Sequence, residues 1–322
     1  MRIITLEEHT IDDRVAAAAS PTADETPMGA FPDSLANTLR DIDDGRIAEM
    51  DANGIDVQVL STLGAQLVPA DAVDVVSAAN DRMADAVSRH PDRYRAFASV
   101  PTADPAAAVH ELERAVSDLG FVGAMVFGRT RGEFLDAEQF EPILATAERL
   151  GAPIYLHPAP PPRAVSDWNY AGFDELVTER FQTSAWGWNQ ETAVHFLHLA
   201  LAGVLDRHPR LQFILGHWGE MIPFYLDRLD EQLPTKLTGL DRTIGEYVRQ
   251  NVFITPSGLF SQAQLQFCVE TIGVERIMYA VDYPFVANTK AQSFLSEARL
   301  LDADKESIAH GTAERFLGIH AR

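Results

Sequence analysis

The chain has 322 residues, 46% apolar and 23% charged, a composition typical of a folded globular protein and long enough for one large domain. Its 26 lysine and arginine residues against 47 aspartate and glutamate residues give a formal net charge of -21, a field that repels nucleic acids and anionic membranes. No apolar run is long enough to span a bilayer, and Cys268, the only cysteine, excludes an internal disulfide and is expected to be buried and unreactive. The first residues already resemble a core strand, so we expect no cleaved signal and predict a cytoplasmic protein without nucleic-acid or membrane partners.

Predicted strands and helices alternate along the whole chain. The predicted strands cover 1–6, 57–60, 95–99, 123–127, 153–156, 211–215, 252–254 and 276–279. The predicted helices cover 41–50, 71–89, 104–118, 137–150, 189–203, several turns within 219–250, and 260–272, and irregular insertions cover about 10–37 and 159–184. Eight strands alternating with helices, without a glycine-rich phosphate loop after the first, predict an α/β fold: a (β/α)8 TIM barrel, one domain over 1–322.

Three of the ten histidines directly follow predicted strands. They are His9, His157 and His217, in the segments LEEH, IYLH and ILGH. The other seven lie in or beside helical patterns, where a surface or helix-packing role is expected. Because an α/β barrel keeps its chemistry at the carboxyl ends of its strands, we expect these three side chains to meet at the mouth of the barrel.

Two acidic residues are placed to join them. Glu7 and His9 are two positions apart, so their side chains leave a strand on the same face. Asp282 follows the last predicted strand in MYAVDYPF, although an aspartate at this kind of turn is also a common turn former. Together with His157 these residues offer two imidazoles and two carboxylates, a donor set that suits Zn²⁺ and also harder ions such as Mn²⁺.

These residues carry a resemblance to a known family. The segments concerned are Glu7-x-His9, His157-Pro158, Gly216-His217-x-Gly219-Glu220 and Asp282-Tyr283-Pro284-Phe285, with RIAEMD at 46–51, HPDRY at 90–94, QETAVH at 190–195 and HP at 208–209. They resemble the decarboxylase branch of the amidohydrolase superfamily, which contains aminocarboxymuconate semialdehyde decarboxylase and the γ-resorcylate and 2,3-dihydroxybenzoate decarboxylases. The resemblance runs nearly from end to end, and it implies that Glu7, His9, His157 and Asp282 are the metal ligands.

The resemblance also implies roles in catalysis. Asp282 would carry the proton, His217 matches the active-site histidine of the family, and Glu220 matches the glutamate that supports it. Glu220 could accept a hydrogen bond from His217 and so set the orientation and tautomer of the ring. A glutamate at the predicted start of a helix is also a common N-terminal acid, so both interpretations of Glu220 stay open.

Four further residues concern substrate binding. Arg228 matches a family arginine that reaches the neighbouring subunit's site, which implies a dimer and a cation for an anionic substrate. The alternative for Arg228 is a surface ion pair with Asp227 or Asp230. Trp186, Trp188 and Phe285 could wall a flat apolar pocket, although aromatic residues more often belong to a core.

Two departures from the hydrolytic relatives favour a single metal. The first strand carries Glu-x-His where those relatives usually have His-x-His, and the fourth strand, FVGAMVF, has no lysine to bridge two metals. We therefore expect one divalent ion, Zn²⁺ first and Mn²⁺ as the alternative, and no organic cofactor. The implied function is non-oxidative decarboxylation, by a carbon–carbon lyase, of an ortho-hydroxybenzoate or related unsaturated acid in aromatic compound metabolism. The small anionic substrate would be bound by a homodimer or a dimer of dimers.

Two alternatives remain at this point. A hydrolase acting on a small lactone could use the same metal to activate water and Asp282 as its base. A barrel that only binds a ligand is disfavoured, because His217, Glu220 and Asp282 would then share no purpose.

Overall fold

The structure is a computed structural model that describes residues 1–26 and 31–320. All strand pairs within these ranges are parallel, and they form a three-stranded sheet of order β1-β2-β3 and a five-stranded sheet of order β4 to β8. The strands are β1 Ile4–Thr10, β2 Val57–Thr62, β3 Tyr94–Ala96, β4 Ala98–Ser99, β5 Ala124–Phe127, β6 Ile154–His157, β7 Phe213–Leu215 and β8 Val252–Ile254.

Backbone hydrogen bonds connect the two sheets on both sides. β3 and β4 flank Phe97, whose N–H donates to the Leu60 carbonyl at 2.9 Å, so the pair acts as one interrupted strand. On the other side, Met278 N–H donates to the carbonyl of Ile254 in β8, and Leu6 N–H in β1 donates to the carbonyl of Tyr279, both at 3.0 Å. The ladder therefore continues around the circle, and the predicted α/β fold of the TIM-barrel type is confirmed.

Two predicted strand limits are wrong. The last predicted strand, 276–279, is present only as single ladder contacts between β8 and β1 rather than as a regular strand. β1 does not end at residue 6, because it runs through the polar residues to Thr10, with a bulge between Thr5 and Glu8. The polar residues 7–10 resemble the start of a loop in the sequence. Hydrogen-bonding partners inside the barrel nevertheless allow all seven residues of β1 to be buried.

Helices surround the barrel, and several begin at residues that suit a helix start. Asp104 accepts hydrogen bonds from the first backbone N–H groups of the helix that begins at Pro105, and Thr243 and Glu246 form a capping box. The assigned helices are α1 Asp13–Ala18, α2 Asp33–Arg40, α3 Asp44–Ala52, α4 Asp74–Arg89, α5 Pro105–Ser117, α6 Glu141–Leu150, α7 Arg163–Asn169, α8 Glu175–Gln182, α9 Gly187–Leu201, α10 Val204–Arg207, α11 His217–Glu220, α12 Ile222–Gln232, α13 Thr235–Thr238, α14 Ile244–Asn251, α15 Gln262–Ile272, α16 Ala291–Ser296, α17 Asp302–Glu306 and α18 Thr312–Leu317. No helix among the described residues is long and apolar enough to cross a membrane.

The apolar core has two main layers, as the alternation of strand side chains requires. Residues such as Val59 and Tyr155 pack inside the barrel, whereas their neighbours Leu60 and Leu156 pack outward against the helices. Cys268 of α15 is buried in the outer layer, where burial raises the pKa of its thiol to about 12, in keeping with an unreactive cysteine.

The two predicted insertions contact each other. The first contains α1 and α2, with residues 27–30 outside the described part, and the second contains α7 and α8. Thr26 Oγ1 donates to the carbonyl of Pro161, and Arg163 N–H donates to that of Asp24, both at 2.8 Å. The insertions are therefore joined above the same side of the barrel.

Candidate metal centre and active site

Four side chains meet at the carboxyl ends of the strands. Each offers one ligand atom, and these atoms all lie within 4.8 Å of one another; the residues are Glu7, His9, His157 and Asp282. The two imidazole Nε2 atoms are 3.1 Å apart, Glu7 Oε1 is 3.1 Å from Nε2 of His157, and Asp282 Oδ1 is 3.2 Å from Nε2 of His9. The structure thus brings together the four residues that the sequence predicts as ligands.

The free atoms of this cluster fit a divalent cation. His157 Nδ1 lies 2.7 Å from the Pro158 carbonyl, which can only accept, so Nδ1 carries the proton and the Nε2 lone pair is free. This Nε2 faces the same atom of His9, whose Nδ1 contacts Ser61 Oγ at 3.0 Å. Oε1 of Glu7 is buried and accepts no hydrogen bond from the residues that the structure describes. Two nitrogens and an unpaired carboxylate oxygen at this spacing are the donor set of a cation site.

Two hydroxyl groups hold the other oxygen of Glu7. Tyr155 and Ser257 both donate to Oε2, and Tyr155 also contacts Thr255 Oγ1 at 2.8 Å. Burial by itself raises the pKa of Glu7, but the surrounding histidines outweigh it and hold this pKa well below its usual range. Gly216 makes room for the arrangement, because a Cβ at this position would lie 2.8 Å from Oε2. Sequence reasoning missed Tyr155 and Ser257; Tyr155 shares the inward face of β6 with His157, and that spacing was the available signal.

The short segment α11 is not a regular helix but a left-handed turn, which positions His217 and Glu220. Residues 217–221 all have φ between 46° and 76°, a conformation that costs a non-glycine residue about 1–2 kcal/mol. Trp218 anchors the turn, since its backbone N–H donates to the Thr255 carbonyl and its indole N–H to the Leu259 carbonyl, both at 2.7 Å. Glu220 was predicted at the start of a helix, but it lies within this turn, before α12.

The turn connects His217 to both Glu220 and Asp282. Nδ1 of His217 is 2.8 Å from Oε1 of Glu220, and Nε2 is 4.0 Å from Oδ2 of Asp282. Burial lowers the pKa of His217, but the carboxylates of Glu220, Glu7 and Asp282 together raise it well above its usual value. His217 can therefore donate to a ligand beside Asp282 while Glu220 fixes its ring.

Two buried ionisable residues, Arg46 and Glu8, support the cluster from behind. Arg46, from the RIAEMD segment, donates to the His9 carbonyl at 2.5 Å and lies 5.0 Å from the ring of Tyr283. Glu8 accepts a hydrogen bond from Val281 N–H at 3.0 Å, and burial raises its pKa to about 8. Glu8 and Arg46 thus connect the strand that carries Glu7 and His9 to the segment that carries Asp282.

A cavity of about 530 Å³ opens next to the four clustered side chains, and its volume is within the range of sites for small molecules. His157, His217 and Asp282 line it, and so does Phe285, whose ring centre is 5.6 Å from that of His9. Both insertions contribute to the lining. The other apolar lining residues include Phe31, Pro32, Leu35, Leu63, Phe127, Pro158, Ala159, Trp188, Pro284 and Val286, and the polar ones include Gln66, Glu179, Arg180, Gln182, Thr183 and Ser184.

The other two predicted substrate-binding residues lie elsewhere. Trp186 is 46% exposed and lines a neighbouring cavity of about 550 Å³ that also touches His217. Arg228, on α12, lines neither cavity, and its side chain is 66% exposed, with Nη1 3.4 Å from Oε2 of Glu231. The arginine that lines the cavity beside the four clustered side chains is Arg180, whose side chain makes no ion pair or hydrogen bond among the described residues. Sequence reasoning did not single it out.

The amidohydrolase family model matches residues 36–319. The chain belongs to this family. It is 34% identical over 329 residues to the decarboxylase orsB of Emericella nidulans, with 99% of this chain and 98% of that protein covered. It is 36% identical over 335 residues to the γ-resorcylate decarboxylase of Rhizobium radiobacter, with 99% of each covered.

A solved structure of this amidohydrolase group is similar throughout. The dihydroxybenzoic acid decarboxylase from Polaromonas sp. JS666, with bound manganese and the inhibitor 2-nitroresorcinol, has a TM-score of 0.87 and 31% identity. The similarity covers 99% of this chain and 97% of that one. The resemblance to the decarboxylase branch is therefore confirmed.

Proposed function

We propose that this amidohydrolase is a metal-dependent, non-oxidative decarboxylase of an ortho-hydroxybenzoate or a related unsaturated acid. The observation that carries the proposal is the position of Asp282, with one oxygen beside His9 and the other facing His217 in a largely apolar cavity. The decarboxylases to which the chain is similar along nearly its whole length support the same reaction.

One divalent cation fits the cluster. Glu7, His9, His157 and Asp282 would hold it, and when bound it supplies positive charge beside the carboxylate and ortho oxygen of the substrate. The sequence favours Zn²⁺, whereas two carboxylate donors also suit Mn²⁺, the ion in the Polaromonas structure. We propose that one of these two ions is the working metal, and we expect no organic cofactor.

The side chains in the cavity would carry out the proton transfer. Asp282 takes the phenol proton of the substrate and delivers it to the ring carbon that bears the carboxylate. His217 donates a hydrogen bond to the substrate and stabilises the charge that develops on it, while Glu220 fixes the imidazole.

The bonds and electrons of this reaction balance. Protonation of the ring carbon converts the phenolate into a cyclic ketone, so the electrons of the breaking bond have an acceptor. The bond between the ring and the carboxylate then breaks, CO₂ leaves, and the electron pair returns to the ring and restores the phenolate. Placing the proton on carbon first avoids a carbanion in the ring plane.

We also propose a homodimer or a dimer of dimers, in which Arg228 serves the site of the neighbouring subunit. Arg228 lies outside the cavity of its own chain, and α12 also presents Phe224 and Tyr225, which are 73% and 56% exposed. An apolar helix face beside an arginine is typical of a surface that another subunit covers. The cytoplasmic location stays a prediction.

A lactone hydrolase is the competing reaction. Such an enzyme could use the same cluster and Asp282, but β5 offers no lysine to bridge a second metal. The test is an assay of protein loaded separately with Zn²⁺ and Mn²⁺ against ortho-hydroxybenzoates and small lactones, with CO₂ release and ring opening measured separately. We expect CO₂ from at least one acid; lactone opening without CO₂ from any acid would refute the proposal.

A further inference from the structure

Gln66 is a buried polar residue in the wall of the cavity beside the four clustered side chains. It lies on a short 3-10 turn, Ala65–Leu67, directly after β2, and the residue is 9% exposed. Its side-chain oxygen is buried without a hydrogen-bond donor, and its amide makes no hydrogen bond to any residue in 1–26 or 31–320. A primary amide has two donor hydrogens and an acceptor oxygen, so this side chain is left with unused hydrogen-bonding capacity.

Gln66 lines the cavity close to a residue that contacts the predicted metal ligand His9. Ser61, at the end of the same strand, contacts the His9 ring at 3.0 Å, and Gly64, with φ of 90°, turns the chain before Gln66. The part of the cavity wall that contains Gln66 therefore follows β2, the strand whose Ser61 contacts the predicted metal ligand His9. Leu63 is the apolar cavity residue three positions earlier, which shows that this wall also accepts apolar side chains.

An unpaired buried amide is costly, and a leucine or methionine would fill the same space without that cost. Trp188 has a similar feature: it lines the same cavity, and its buried indole N–H has no acceptor among residues 1–26 and 31–320. An unpaired acceptor and an unpaired donor in the lining of one cavity fit a ligand that brings its own polar groups.

We propose that Gln66 is a specificity-determining residue that hydrogen-bonds an oxygen substituent of the ring, in addition to the carboxylate and the ortho oxygen beside the metal. The inference rests on the proposed function and deepens it. The substrate is then a hydroxybenzoate with a second hydroxyl group, because a hydroxyl can both donate to the amide oxygen and accept from the amide nitrogen. A site built to bind a hydroxyl discriminates against the analogue that lacks it, since the buried amide is then left unpaired.

The test compares wild type with Gln66→Leu on 2-hydroxybenzoate and on its dihydroxy analogues. We expect kcat/KM for the best dihydroxybenzoate to fall about tenfold or more, a loss of about 1.4 kcal/mol, whereas the value for 2-hydroxybenzoate stays within about twofold. Gln66→Met is a second apolar variant in case the first fails to fold. Gln292→Leu is the matched control, because Gln292 lines a separate cavity together with Met1 and Arg2, which precede β1.

A binding measurement separates this inference from the proposed function. Calorimetry with the metal-loaded protein gives the dissociation constants of phenol and of the dihydroxybenzenes, which need no turnover. Selective weakening of dihydroxybenzene binding in the Gln66 variants would support the inference even if wild type releases no CO₂. The absence of CO₂ release would refute only the proposed decarboxylase function. Equal losses for all ligands, or none, would overturn the role of Gln66 whether or not the enzyme is active.

Discussion

Replacement of Tyr155 with phenylalanine tests the support of the metal cluster. The hydroxyl of this fully buried tyrosine donates to Oε2 of Glu7, and in the Tyr155→Phe variant Ser257 is the remaining donor. A hydrogen bond to a charged group contributes about 1.5–3 kcal/mol, so we expect metal affinity to fall roughly 10- to 100-fold. The ring and its packing against Phe97 are retained, so the change removes one hydrogen bond rather than a core side chain.

The assay is competition for the metal with a chromophoric chelator, together with thermal unfolding of the protein with and without metal. The stabilisation by added metal should shrink in the variant. Tyr247→Phe is the matched control, because Tyr247 also donates to a carboxylate, that of Asp206, but on α14 and away from the cluster. A metal affinity of Tyr155→Phe within about twofold of wild type would refute the role assigned to this hydroxyl.

Two further predictions concern the subunit interface and acid stability. Arg228→Ala should raise KM roughly tenfold. When the Arg228→Ala and Asp282→Asn variants are mixed, hybrid dimers should contain one intact site and regain activity. An unchanged KM and no regained activity would favour a surface ion pair for Arg228. His195 is fully buried, and burial lowers its pKa to about 3, so it stays neutral in the folded protein but is protonated below about pH 6.5 when unfolded. Urea unfolding should therefore show that the free energy of unfolding falls on acidification, by about 1.4 kcal/mol per pH unit between about pH 6.5 and 3. The slope should be smaller in His195→Gln, and equal slopes in the two proteins would contradict this.

The sequence predicts well which side chains cluster, because these residues obey a local rule. His9, His157 and Asp282 each follow an apolar segment, and in a barrel all such positions converge at one end. That rule depends on the order of the strands and helices along the chain and not on the exact residues at which they begin and end. The cluster therefore forms as expected although β1 continues to Thr10 and the last strand is reduced to single contacts.

The surroundings of the ligands could not be predicted in the same way. The left-handed turn at 217–221 depends on contacts to Thr255 and Leu259, far along the chain, and apart from Gly219 its residues do not favour this conformation. Tyr155, Gln66 and Arg180 have periodicities typical of core or surface residues. Their proximity to the cavity follows only from three-dimensional packing.

The central claim is that this cavity transfers a proton to the carbon that loses CO₂. The most direct measurement is turnover of the best ortho-hydroxybenzoate in D₂O, with the product analysed by mass spectrometry and NMR. We expect one deuterium at the carbon that carried the carboxylate, and no CO₂ release after chelation of the metal or in Asp282→Asn. Continued CO₂ release from the chelated protein or from Asp282→Asn, or a product without deuterium at that carbon, would contradict the account.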